Sequence, residues 1–192
     1  MTLIFVSGNI HKFQEIQQIL NEYNIEIAFH QQEVPELQSD SLEEIALFRA
    51  KHAFSLLQKP LFVEDSGLFI QSLNGFPGPY SSYVFRTIGN PGILRLLKGA
   101  SDRTAVFRTA LALILSETET FTFLGETPGV IAPSEQGSGG WGYDPIFIPS
   151  QGNGQTYGQM SIDEKNKVSH RRQSAVKLIE WLEHNSSRLD TS

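Results

Sequence analysis

The N-terminal third of the chain alternates between hydrophobic patterns typical of strands and patterns typical of helices. The short apolar run at 3–6 predicts a buried first strand, and residues 25–29 predict a second strand. Apolar residues three and four positions apart predict helices over 12–22 and 41–57, and the second helix opens at the capping box Ser41-x-x-Glu44. Strands that alternate with helices in this way predict an α/β fold.

A third strand is predicted at 61–63, and it runs directly into the adjacent carboxylates Glu64 and Asp65. We expect these acids at the carboxyl end of a buried strand, where α/β proteins present functional groups. Because adjacent carboxylates repel each other, a nearby cation would have to compensate them; a solvated turn is the alternative. The apolar residues at 68–73 fit either a further strand or the edge of an apolar helix.

The second half of the chain favours β structure. Runs at 104–115 and 121–124 flank a polar turn and predict an antiparallel hairpin, so the sheet should be mixed, and 130–131 predicts another short strand. Asn90-Pro91 predicts the cap and the first position of a short helix. A second capping box, Ser161-x-x-Glu164, opens another helix before the last one.

The chain has 192 residues, a formal net charge of −6, a pI of about 5.4 and no cysteine. The acidic balance argues against a nucleic-acid partner held by a basic face, and the lack of cysteine excludes disulfides, zinc-thiolate sites and a cysteine nucleophile. We see no apolar run that approaches a membrane span and no features of a signal peptide. We therefore expect a cytoplasmic protein without a membrane partner, with a frayed polar tail at 185–192.

Three further segments carry candidate chemistry, and each has a plainer alternative. The loop 7–12 places backbone N–H groups at a helix N-terminus, where anions bind, although an ordinary capped helix has the same pattern. The glycine-rich segment 137–145 carries two aromatic rings on which a base could stack, unless they pack inward. The basic cluster at 165–172 stands out in an acidic protein, although a solvated helix start would look the same.

Five motifs follow one another along almost the whole chain. They are Ser7-Gly8-Asn9-x-x-Lys12, Val63-Glu64-Asp65-Ser66-Gly67-Leu68, Gly75-x-Pro77-Gly78-x-Tyr80, Gly140-Trp141-Gly142-Tyr143-Asp144-Pro145 and Glu164-Lys165-Asn166-x-x-Ser169-His170-Arg171. In this order they resemble the inosine triphosphate pyrophosphatase family, from residue 3 to about residue 182. The segment 80–89 is most similar to the archaeal branch of that family.

The resemblance implies both a fold and an activity. The fold is an elongated mixed β-sheet with flanking helices, a single domain over 1–192 whose two lobes surround a central nucleotide-binding cleft, and usually a homodimer. The activity is Mg²⁺-dependent hydrolysis of the purine nucleoside triphosphates ITP, dITP and XTP. The products are the nucleoside monophosphate and pyrophosphate, which removes non-canonical nucleotides from the pool.

The resemblance also assigns residues. Asp65 matches the general base and a metal ligand, and Glu36 matches a second metal ligand. The positions that match substrate contacts are Ser7, Gly8, Asn9, Ile10, His11, Lys12, Arg49, Ser66, Trp141, Gly142, Tyr143, Asp144, Lys165, His170 and Arg171. Three positions depart from the family pattern. Some bacterial relatives have Asp in place of Glu64, relatives often have Phe in place of Trp141, and many have Gly in place of Arg172.

Selectivity should depend on position 6 of the purine. His170 or Arg171 and backbone N–H groups of the glycine loop would donate hydrogen bonds to the keto oxygen of inosine or xanthine. Against the amino group of adenine they would be left unsatisfied, which costs ~1–3 kcal/mol per donor. Two rival functions remain: a nucleotide-binding module without catalysis, and a pyrophosphatase that acts on pyrimidine or methylated nucleotides.

Overall fold

A computed structural model describes residues 2–35 and 37–185 of the protein. Its strands are β1 (Leu3–Ser7), β2 (Ile27–Gln31), β3 (Leu61–Ile70), β4 (Pro77–Gly78), β5 (Thr104–Ile114), β6 (Thr120–Ile131) and β7 (Phe147–Pro149). Its helices are α1 (Ile10–Asn21), α2 (Leu42–Leu57), α3 (Ser81–Thr87), α4 (Gly89–Leu96), α5 (Ile162–Val168) and α6 (His170–His184). No helix among the described residues combines the length and the apolar character that a bilayer span requires.

The strands form one mixed sheet, as the sequence predicts. Their order is β2-β1-β3-β5-β6-β7, and the short β4 pairs with β3. The strand β1 runs parallel to both β2 and β3, whereas the β3–β4 and β6–β7 pairs are antiparallel. The predicted class, an α/β protein with a mixed sheet, is therefore confirmed.

The described chain groups into two compact units. Within the described residues, the first unit takes its residues from 2–35, 37–65, 109–125 and 171–185, and the second from 66–108 and 126–170. Each unit has its own apolar cluster. Phe5, Phe62 and Leu111 are among the fully buried members in the first unit, and Ile93 and Phe147 are among those in the second.

Local capping signals predict several helix starts correctly. Ser41 caps α2 by accepting a hydrogen bond from the Glu44 N–H at 3.2 Å, although the Glu44 carboxylate accepts from Ser39 instead of completing a capping box. The box at Ser161-x-x-Glu164 is complete and starts α5. The helix α1 begins two residues earlier than predicted, because Asn9 caps it.

The prediction that Glu64 and Asp65 end a strand is wrong. The strand β3 continues through both acids to Ile70, and a 3-10 turn at Gln71–Leu73 follows it. This also settles the open segment 68–73 as the end of a strand and a turn. The strand can continue because partners from distant parts of the chain compensate both carboxylates, which are buried.

Three further boundary predictions are corrected. Asn90 is not a helix cap, since α4 starts at Gly89 and the Asn90 amide donates to the Gly142 carbonyl at 3.1 Å. The predicted separate strand at 130–131 is the end of β6, and β2 lies two residues later than predicted. Most of the predicted frayed tail, 186–192, lies outside the described residues.

Candidate active site

The loop between β1 and α1 is fixed by its own polar side chains. The Asn9 N–H donates to the Ser7 hydroxyl at 3.1 Å, and the His11 N–H donates to the Asn9 side-chain oxygen at 2.9 Å. Gly8, Ile10 and His11 are exposed, while Ser7 is buried. An exposed loop at the N-terminus of a twelve-residue helix suits an anion, as the sequence predicts.

Lys12 connects this loop to the acidic strand β3. Its Nζ lies 2.8 Å from Oε2 of Glu64 and 3.4 Å from the Glu64 carbonyl oxygen. The Thr109 hydroxyl donates to Oε1 of Glu64 at 2.6 Å. Glu64 is only 1% exposed, so its carboxylate serves these internal partners.

Arg171 joins the same group from the start of α6. Its Nη1 lies 2.7 Å from Oε2 of Glu15, and its Nη2 lies 3.3 Å from Oε1 of Glu64. Lys12, Glu64, Arg171 and Glu15 thus form a buried network of two cations and two carboxylates in the first unit. Sequence reasoning placed Arg171 with the base-binding residues, and that role stays a prediction; in the structure its guanidinium lies between two acids.

The electrostatics of Glu64 follow from this network. Burial alone would raise the pKa of Glu64, but attraction to Arg171 and Lys12 and the hydrogen bonds from Lys12 and Thr109 outweigh it. The net effect holds the pKa of Glu64 well below its usual range. Glu64 is therefore an ionised carboxylate that binds two cations of its own chain.

Asp65 has a different partner. Nη1 of Arg49, which lies on α2, is 3.1 Å from Oδ1 of Asp65, and both side chains are nearly buried. The Asp65 carbonyl oxygen accepts a hydrogen bond from the Thr109 hydroxyl at 3.0 Å. The predicted phosphate contact of Arg49 stays a prediction; in the structure its guanidinium pairs with the predicted catalytic carboxylate.

The predicted metal ligands are only partly described. Glu36 lies outside the described residues, and no group of three or more His, Asp or Glu side chains that could hold a metal occurs within the described ranges. Mg²⁺ is usually held by one or two carboxylates together with substrate phosphates and water. The carboxylate oxygens of Asp65 are the hard donors that such an ion needs.

The second unit contains the glycine-aromatic loop and its basic partner. Oδ2 of Asp144 accepts hydrogen bonds from the backbone N–H of Trp141 at 2.8 Å and from Nζ of Lys165 at 2.6 Å. The same Nζ lies 5.5 Å from the centroid of the Trp141 ring. Gly140 has a φ of +71°, and a Cβ there would collide with the Asp144 carboxylate, so the loop requires glycine at this position.

The two aromatic rings of this loop differ in exposure. Tyr143 packs in the apolar cluster of the second unit, and its hydroxyl donates to the Ser81 carbonyl at 2.8 Å, so the inward-packing alternative holds for this ring. Burial raises the pKa of Tyr143 above its usual range. Trp141 is only half-buried, so stacking of a base on its ring stays a prediction.

The remaining predicted site residues are also placed. His170 is buried and stacks on Phe107, with ring centroids 4.8 Å apart and planes 8° apart. Ser66 lies on β3, is half-buried and belongs to the second unit. Arg172, whose role was open, forms two hydrogen bonds to the exposed Glu22 at 3.1 and 2.8 Å.

Sequence reasoning missed Glu15, Thr109 and Asn90. Glu15 follows Lys12 by three positions in α1, so both lie on the same side of the helix, and this spacing was a usable signal. Thr109 and Asn90 lie 45 and 52 positions from their respective partners, Glu64 and Gly142, and no local pattern identifies such pairs.

The comparisons with known proteins agree with the motifs. The sequence matches the profile of the Ham1 family over residues 3–181. The chain belongs to the Ham1 family. Curated relatives named dITP/XTP pyrophosphatase include one from Methanopyrus kandleri, 48% identical over 96% of this chain and 98% of its own. Another, from Methanosarcina mazei, is 45% identical over 93% of this chain and 96% of its own.

Solved structures support the Ham1 assignment. A HAM1 protein from Coxiella burnetii has a TM-score of 0.81 and 30% identity, covering 96% of this chain and all of the other. The Ham1 protein of Staphylococcus aureus has a TM-score of 0.75 and 30% identity, covering 94% and 98% respectively. The predicted family is therefore confirmed, and so is its archaeal character, because the curated relatives at 42–48% identity are archaeal.

Proposed function

We propose that this Ham1 protein hydrolyses dITP, ITP and XTP between the α- and β-phosphates, releasing the nucleoside monophosphate and pyrophosphate. The protein is then a nucleoside-triphosphate pyrophosphatase. The observation that carries the proposal is full-length membership of the Ham1 family, with relatives at 42–48% identity that are named dITP/XTP pyrophosphatases. The Asp65–Arg49 pair and the Lys12–Glu64 pair supply charged groups suited to this chemistry.

Asp65 is the general base of the proposed mechanism. Its carboxylate accepts a proton from a water molecule whose oxygen attacks the α-phosphorus. The bond from that phosphorus to the bridging oxygen breaks, and pyrophosphate leaves with the electron pair. Arg49 holds Oδ1 of Asp65 at 3.1 Å and restricts the carboxylate to one orientation, which positioned bases require.

Lys12 and the 7–12 loop bind the phosphates in this proposal. An ammonium group has three donors, and two of those of Lys12 are directed at Glu64, so a third can reach a phosphate oxygen. The N–H groups at the start of α1 add donors at the positive end of the helix dipole. Together they stabilise the charge on the leaving pyrophosphate.

Asp65 and Glu36 are the residues that we assign to Mg²⁺. The ion supplies positive charge to the triphosphate when it is bound. The charges of the described site explain why the triphosphate would need this additional positive charge. Lys12, Arg49 and Arg171 are matched by Glu64, Asp65 and Glu15, which leaves no net positive charge for a polyanion.

The base-recognition residues belong to the second unit. Trp141 offers a half-exposed ring for stacking, and the Asp144–Lys165 pair fixes the loop beside it. Donors from this loop would meet the keto oxygen at position 6 of the purine. The central cleft between two lobes, the single-domain organisation, the homodimer and the cytoplasmic location stay predictions.

The test is pyrophosphate release from ITP, XTP, dITP, GTP, ATP, dUTP and dTTP, each with and without Mg²⁺. We expect release chiefly from ITP, dITP and XTP, and only with the ion. Release chiefly from pyrimidines would favour the rival pyrophosphatase, and no release from any nucleotide would favour the binding module. Asp65→Asn should lose turnover with its fold retained, and Glu36→Gln should need a higher Mg²⁺ concentration for half-maximal rate.

A further inference from the structure

Asn90 has a buried amide side chain that forms a long-range hydrogen bond. It is 6% exposed, and its Nδ2 donates to the Gly142 carbonyl at 3.1 Å across 52 positions of sequence. Because a carbonyl oxygen only accepts, the amide nitrogen and not the oxygen must face it. Both residues lie in the second unit, so the bond connects α4 to the glycine-aromatic loop.

The other half of the amide shows why this bond matters. Oδ1 of Asn90 is also buried and has no hydrogen-bond partner among the described residues. A buried acceptor without a partner is costly, and native proteins keep few of them. A leucine of similar size would avoid the cost, so the amide is best explained by the bond that it donates to Gly142.

The bond reaches a glycine of the loop whose Cβ side is open. Gly142 has a φ of +64°, and a Cβ added there would meet no atom within 4 Å. The space on the Cβ side of Gly142 is therefore open, and the bond from Asn90 holds its carbonyl oxygen. Before Gly142, the backbone N–H of Trp141 donates to Asp144, and after it the Tyr143 hydroxyl donates to the Ser81 carbonyl.

We propose that Asn90 is a positioning residue for base recognition. It holds the Gly142 carbonyl and thereby fixes the orientation of the Trp141 ring beside the Asp144–Lys165 pair. This inference rests on the proposed function, in which that ring stacks on the nucleobase. Asn90 itself contacts no substrate, so its loss should affect binding and base selectivity more than the chemical step.

The kinetic experiment uses Asn90→Leu and Asn90→Ala, with Ile93→Val as the matched control. Ile93 is fully buried on the same helix, so its truncation loosens α4 without touching the amide. For both Asn90 variants we expect a rise of about three- to tenfold in KM for ITP, the effect of one hydrogen bond. Their kcat should stay near the wild-type value. The ratio of kcat/KM for ITP to kcat/KM for ATP should fall. The control Ile93→Val should lower only the thermal midpoint of unfolding.

A second readout does not depend on turnover. The chain has two tryptophans, so Trp181→Phe leaves Trp141 as the single reporter. In that background both Asn90 variants should change the acrylamide quenching of Trp141, and Ile93→Val should not. Asn90→Ala adds no bulk, so a folding failure of Asn90→Leu leaves the test intact.

The two readouts separate this inference from the proposed function. If the wild type releases no pyrophosphate from ITP, the proposed function fails, and Trp141 quenching still tests the role of Asn90. If both Asn90 variants keep wild-type KM, wild-type ITP-to-ATP selectivity and wild-type quenching, Asn90 is only a structural residue and the inference is overturned.

Discussion

Glu64 and Asp65 are adjacent carboxylates with separate duties. Glu64 is enclosed by Lys12, Arg171 and Thr109, so it organises cations of the chain. Asp65 is held by Arg49 from a different helix. The strand therefore tolerates two adjacent acids because each has its own cation, and the proposed base is the one whose neighbours do not enclose it completely.

Glu64→Gln tests how much the buried network contributes to folding. The change leaves Lys12 and Arg171 without their shared counter-charge, and we expect a loss of ~3–5 kcal/mol in the free energy of unfolding. Urea unfolding measures it. The matched control is Glu126→Gln, since Glu126 pairs with Arg108 at the surface and should cost less than ~1 kcal/mol. Equal losses in the two variants would contradict the assigned role of Glu64.

Because Tyr143 is buried, we expect the stability of the protein to depend on pH in the alkaline range. Burial raises its native pKa above the unfolded value of about 10. Below the unfolded pKa its contribution is fully present, and as pH rises further the unfolded chain releases the proton first, so stability falls. Free energies of unfolding at about pH 8 and pH 10.5 should therefore drop more in the wild type than in Tyr143→Phe. Parallel curves would exclude this role.

The glycine-aromatic loop is the element whose shape depends most on single positions. Gly140→Ala adds a Cβ that collides with the Asp144 carboxylate and also strains a positive φ. We expect displacement of Asp144, a severalfold higher KM for ITP, and lower stability. The control is Gly99→Ala, whose φ of +82° carries similar strain of ~1–2 kcal/mol but whose Cβ meets nothing within 4 Å. If both variants raise KM equally, strain and not the Asp144 contact is the cause.

Elements governed by neighbouring residues were predictable from the sequence. Ser41 at α2 and Ser161-x-x-Glu164 at α5 act within one helical turn, and both helices start where these signals place them. The mixed sheet followed from the hairpin run and the alternation of strands and helices. The family was also recognisable, because its motifs are short and contiguous.

Elements decided by distant partners were not predictable. Asn90 looked like a cap because its neighbours suit a helix start, but its amide bonds to a loop 52 positions away. The strand β3 appeared to end at Glu64 because its compensating cation Arg171 lies more than a hundred positions further on.

At the scale of the whole molecule, a protein of net charge −6 is proposed to bind a polyanion. A global positive field is absent from its composition, so binding must depend on local balance. In the first unit the buried Arg49 and Arg171 and the half-buried Lys12 face the three carboxylates of Glu15, Glu64 and Asp65. Any change in this balance should therefore alter nucleotide binding in the absence of Mg²⁺.

Asp65→Asn makes that consequence measurable. It removes one negative charge beside Arg49, so ITP in EDTA should bind this variant about tenfold more tightly than the wild type. At saturating ITP the added stabilisation should be ~1.4 kcal/mol, seen as a larger rise in the thermal midpoint. Glu126→Gln removes the same charge from the exposed pair with Arg108 and should bind ITP like the wild type. Equal gains in both variants would mean that net charge, and not the balance around Asp65, governs binding.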